Sequence, residues 1–173
     1  MGKSGAMWGK MCIFEPEFIY KNERMRFLGN IEAKTDAKGR VFLPSVFRKV
    51  LQVSGEESLV LRKDVFQPCL VLYPQSVWNA QLDELRTRLN KWNPEHQQML
   101  RQFVYDTEAI ALDGNGRFLI PKRFLEATNI TSGVRFIGKV DTIEIWTTDS
   151  DMPLMNSQEF AEKLTKVMTP EEN

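Results

Sequence analysis

The chain has 173 residues, is 42% hydrophobic, and balances 23 basic side chains against 23 acidic ones. That length suits one or two small domains, and no apolar run approaches the ~18–20 residues a membrane-spanning helix needs. The two cysteines, Cys12 and Cys69, lack C-x-x-C spacing, which argues against a disulfide framework or zinc site and fits a reduced, cytoplasmic compartment.

Residues 1–24 show no clean periodicity. "MCIF" is too short an apolar run for a signal peptide, and Glu15 and Glu17 follow it closely. This stretch is read as a leader, either a start-site artefact or a disordered arm, and ordered structure is expected from Met25. Residues 25–75 form a first half. A strand at 27–34 meets the turn Asp36-Ala37-Lys38-Gly39, and a second strand follows at 40–43. Pro44 then opens a short helix to Leu51, its missing N–H being harmless at a first helical position. Val46, Phe47, Val50 and Leu51 give that helix an apolar stripe, and two buried strands follow at 58–61 and 69–73.

Residues 76–107 read as a helical hairpin. Val77, Trp78, Leu82, Leu85 and Leu89 lie near helical spacing, and Asn93-Pro94 caps a second helix carrying Met99, Leu100, Phe103 and Val104. Residues 108–150 repeat the first half: a strand at 109–112, the turn Asp113-Gly114-Asn115-Gly116, a strand at 117–120, a helix opened by Pro121, and two strands in "VRFIGKVDTIEIW". Ile143, Ile145 and Trp146 stand where the first half has Leu70, Leu72 and Tyr73. Residues 151–173 hold an amphipathic helix capped near Asn156, with Glu159 three residues on and Phe160, Leu164, Val167 and Met168 as its stripe. Trp78, Trp92 and Trp146 are expected in the core or an interface. His96, the single histidine, is expected to be a solvated residue at a helix start.

The repeat carries the functional signal. Asp-x-x-Gly-Arg-x-x-x-Pro-x-x-Phe occurs at Asp36–Phe47 and again at Asp113–Phe124. Asp and Gly suit a tight turn, but turn geometry does not demand Arg, and an exposed Asp–Arg pair gives at most ~1 kcal/mol. An arginine fork at a hairpin tip can instead grip phosphate or guanine O6 and N7, and a two-stranded ribbon fits the major groove. The charges are sorted accordingly. Lys34, Lys38, Arg40, Arg48 and Lys49 outweigh Asp36, whereas residues 144–173 carry seven acids against Lys163 and Lys166. Lys38 has Asn115 as its counterpart, so the first turn is the better candidate to face DNA.

"FLGNIEAKTDAKGRVFLPSVFRKVL", "CLVLYPQSVW" and "LDGNGRFLIPKRFLEATNI…VRFIGKVDTIEIW" resemble the MraZ family over essentially residues 25–150. The resemblance implies an α+β, β-rich fold of two pseudo-symmetric swapped-hairpin (AbrB-like) βαββ halves forming an interleaved barrel. It implies ring-shaped homo-oligomers and a nucleoid-associated transcriptional repressor. The implied partner is double-stranded DNA: direct repeats in the promoter of the division and cell-wall gene cluster. By the same resemblance, Lys38 and Arg40 contact DNA, with Lys34 beside them, while Asp36 and Gly39 orient the first motif. Asp113, Gly116 and Arg117 form the second, where Arg117 either contacts DNA or pairs structurally with Asp113. Arg48 and Lys49 read equally as flanking phosphate contacts or as a solvated helix face.

Catalysis is not expected. No nucleophile–histidine arrangement, metal-ligand cluster or phosphate-cradling Gly-x-Gly-x-x-Gly is present, and no cofactor, metal or small-molecule substrate is indicated. The alternative is a swapped-hairpin protein-interaction or antitoxin-like module without promoter specificity.

Overall fold

A computed structural model describes residues 26–170, so the expected leader lies outside the described residues. The strands are β1 (Phe27–Lys34), β2 (Arg40–Phe42), β3 (Leu59–Lys63), β4 (Leu70–Pro74), β5 (Thr107–Ile110), β6 (Arg117–Leu119), β7 (Gly133–Val140) and β8 (Thr142–Thr147). The helices are α1 (Ser45–Ser54), α2 (Gln75–Arg88), α3 (Pro94–Tyr105), α4 (Lys122–Ala127) and α5 (Ser157–Met168). Pro44 and Pro121 sit one position earlier than expected. Each is extended (ψ 138° and 144°) and caps its helix from outside, so the helices begin at Ser45 and Lys122. Asn93 and Asn156 cap as expected, their side chains accepting from Glu95 N–H and Glu159 N–H respectively.

Six strands form one antiparallel sheet in the order β1-β7-β8-β4-β3-β5, and β2 pairs separately with β6. The halves therefore interleave. The first strand of each half lies against the third strand of the other, β1 on β7 and β5 on β3. At the centre β4 meets β8, with Leu70 opposite Ile145 and Leu72 opposite Ile143. The expected closed barrel is not formed. The sheet stays open, with β1 and β5 at its edges, because β2 and β6 are only three residues long and pair with each other instead.

The sheet separates two apolar layers. One joins Phe27, Val41, Leu43, Phe47, Phe118, Phe124 and Phe136 with the Leu and Ile residues of the sheet, so the β2–β6 ribbon, α1 and α4 pack on the same layer. The other gathers Val60, Val71, Tyr73, Trp78 and Trp146 beneath α2 and α3. Arg62, on β3, is only 8% exposed. Its guanidinium lies 4.0 Å from the Phe103 ring centroid, stacking α3 against the sheet.

Several expected packing roles change. Trp78 and Trp146 are buried, but Trp92 is 83% exposed because it falls in the turn between α2 and α3. Val46, assigned to the α1 stripe, points outward, and Phe47 and Leu51 carry the burial. His96 is half-buried, and its Nδ1 accepts the Asn90 N–H at 2.9 Å, tying down the same turn. On α5, Phe160, Leu164, Val167 and Met168 all remain exposed. Among the described residues no helix is long and apolar enough to cross a membrane.

Candidate nucleic-acid interface

The two Asp-to-Arg turns are built alike. Asp36 Oδ1 accepts the N–H groups of Lys38 and Arg40, each at 2.9 Å, and its Oδ2 accepts Arg40 Nε–H at 2.7 Å. Asp113 Oδ1 likewise accepts from Asn115 and Arg117, both at 2.9 Å, and its Oδ2 takes Arg117 Nε–H at 2.9 Å. The spacing of four is thus required: one carboxylate closes the turn and also fixes the arginine. The Arg40 N–H and then the Arg40 side chain, with the Lys38 N–H, hold the Asp36 carboxyl below its ordinary value of 3.8. The Asp113 carboxyl is lowered first by the Arg117 N–H, then by Asn115 N–H and the Arg117 side chain.

Gly39 and Gly116 close the turns at φ 87° and 80°, a region side chains rarely adopt. Each also bonds across to the other copy. Leu43 N–H donates to Gly116 O and Ile120 N–H to Gly39 O, both at 3.0 Å. The β2–β6 ribbon lies between these two links, with Arg40 opposite Leu119 and Phe42 opposite Arg117. Period-2 alternation sends Val41 and Phe118 into the core. Arg40 and Arg117 therefore share the outward face, diagonal to one another at roughly 7–8 Å between Cα atoms. Each Asp engages only Nε. Among the described residues Nη1 and Nη2 of both arginines make no hydrogen bond, so each terminal fork is free for a bidentate acceptor.

The basic residues of the two copies differ in how far they are paired. Lys34, Lys38 and Lys49 are exposed and form no ion pair among the described residues. In the second copy, Arg123 is engaged by Asp106 at 2.9 Å and Glu108 at 2.7 Å, and Lys122, which shares a hollow with Asp36, Lys38 and Gly39 of the first turn, lies 3.7 Å from Glu126. The second copy's apparent basic surplus is largely paired off within the fold.

Arg48 does not flank the first motif. The ribbon register brings α1 over the opposite turn, and Arg48 lies across Gly116, its Nε buried without a partner. Its guanidinium therefore stands at the second turn, and the side chain is half-buried, not fully solvated. Lys49, one position on, does face solvent. Sequence reasoning passed over Phe42 and Leu119, which stand on the arginine face at 53% and 50% exposure. The available signal was their place two residues after Arg in both copies, on the outward phase of a strand.

A family model described as "MraZ protein, putative antitoxin-like" matches residues 26–102 and 103–150. A Phocaeicola vulgatus protein named Transcriptional regulator MraZ is 59% identical over 86% of this chain and 97% of its own length. A Bacteroides thetaiotaomicron protein of the same name is 56% identical over 85% of this chain and 95% of its own. One from Flavobacterium psychrophilum is 35% identical over 70% and 77%. The family boundary at residue 102 falls within α3, between the two structural repeats. With a paired Asp–Arg turn in each half, a family model that matches residues 26–150 and relatives matched over most of their lengths, the chain belongs to the MraZ family.

Proposed function

We propose that the protein is a sequence-specific, DNA-binding transcriptional repressor. Its targets are direct repeats in its own promoter, at the head of the division and cell-wall gene cluster, and it works in the cytoplasm on the nucleoid. The observation that carries this reading is the ribbon face. Two arginines, each anchored at Nε and free at Nη1 and Nη2, stand on one exposed side of a two-stranded antiparallel ribbon. Such a ribbon fits the major groove, and a free guanidinium fork fits guanine O6 and N7. Lys34 and Lys38 supply phosphate attraction at the first turn, and Lys49 adds an exposed charge on α1.

A homo-oligomeric ring is part of the proposal. Copies held in a ring meet successive repeats with linked contacts, which raises avidity by ~10²–10⁴ over one tip. The relatives' printed name and the family membership support regulation of transcription as the setting.

The second reading, a protein-interaction module, is favoured by the uncovered apolar stripe of α5. Gel-shift and anisotropy binding to the DNA upstream of the chain's own gene separates the two. DNA recognition predicts affinity falling linearly with salt on logarithmic axes. Arg40→Ala should abolish the shift while size exclusion keeps the wild-type elution. Wild-type protein that ignores this DNA, or an Arg40→Ala variant that binds equally well, refutes the proposal.

A further inference from the structure

The arginine face of the ribbon has a second, apolar component. Phe42 and Leu119 are outward-facing, and each sits across the ribbon from an arginine, Phe42 from Arg117 and Leu119 from Arg40. Arg117 Cζ is 5.7 Å from the Phe42 ring centroid. Single exposed apolar side chains are ordinary. These two, however, hold the same place in both copies of the repeat, beside the two arginines on the outward face of the ribbon.

We infer that Phe42 and Leu119 are specificity-determining residues that pack on the 5-methyl groups of thymines beside the guanines taken by Arg40 and Arg117. This inference rests on the DNA reading above. An apolar side chain gains nothing from a phosphate, whereas thymine alone among the four bases presents a methyl in the major groove. The spacing fits. Alternate residues of a strand lie ~6.8 Å apart, about two base steps of ~3.4 Å. Arg40 and Phe42 thus reach bases about two steps apart, and Arg117 and Leu119 do the same in the opposite sense. The result is a four-point reader whose cationic and apolar corners alternate.

The test uses the full-length oligomer and the tightest duplex it selects from a random duplex library. Each thymine of that duplex is replaced in turn by deoxyuridine, which removes only the methyl. Wild-type affinity should fall about three- to fivefold at one or more thymines, the effect of exposing a methyl-sized apolar group. Phe42→Ser and Leu119→Ser should bind more weakly and lose that deoxyuridine sensitivity, with wild-type circular dichroism and elution. Tight wild-type binding that no deoxyuridine weakens overturns the inference and leaves the DNA function standing. So does sensitivity unchanged in both serine variants. A wild type that selects no duplex overturns both readings.

Discussion

Gly39 and Gly116 are equivalent by sequence, yet replacing each by alanine should have unequal consequences. Both have positive φ, 87° and 80°, so each substitution carries backbone strain of about 1–2 kcal/mol. The neighbours differ. A Cβ at Gly39 would lie 2.9 Å from the Ile120 carbonyl oxygen and 3.1 Å from Leu125 Cδ1. That carbonyl is backbone in the link between the two turns, so it cannot move without disturbing the Ile120 N–H to Gly39 O bond. Overpacking of this kind adds about 1–3 kcal/mol. At Gly116 the Cβ would overlap the far end of Arg48, with Cζ at 2.8 Å. A flexible side chain can swing away, and this one leaves a site where its Nε has no partner. Gly39→Ala should therefore cost about 2–5 kcal/mol and Gly116→Ala about 1–2 kcal/mol. Urea unfolding followed through the buried Trp78 and Trp146 measures both, at one protein concentration so that any self-association affects the two variants alike. Equal losses, or a larger loss at Gly116, would refute the assignment of Arg48 to the second turn.

Two further outcomes follow from the titrating groups. The Asp36 and Asp113 carboxyls are held below 3.8 in the fold, so their clamps are complete above that value and fail as pH falls through the lowered ones. DNA affinity at fixed salt should then vary by no more than about twofold between roughly pH 5 and 8, and anisotropy titrations across that range check it. Burial pushes the Cys69 thiol up to about 12. In a Cys12→Ser background, Cys69 should resist a thiol reagent at mildly alkaline pH until denaturant is added, as read by thiol absorbance and mass spectrometry.

Much of the plan is legible in the order of the amino acids alone. The repeat, the turn residues and the Asn caps depend on neighbours in sequence, so local spacing contains the information. Asp36 and Arg40 show why: one carboxylate bonds two backbone N–H groups and a guanidinium, all within five consecutive residues. Helix existence is legible for the same reason, while several strand ends shift by one or two residues because partners from the other half help to set them.

Long-range register decided the rest. Pairing Arg40 with Leu119 and Phe42 with Arg117 puts both arginines and two apolar side chains on one face, and nothing near any of the four residues states this. The same register lays α1 over the second turn and takes Arg48 away from the first. Sheet closure was also a tertiary matter: β2 and β6, three residues each, pair with each other across the two halves and not with the main sheet. The sequence by itself determined the two turns and the charge at their tips, because those rest on contacts a few residues long. Only the tertiary structure determined which side chains share the exposed face, since strands 77 positions apart in the repeat set it through their mutual hydrogen bonds.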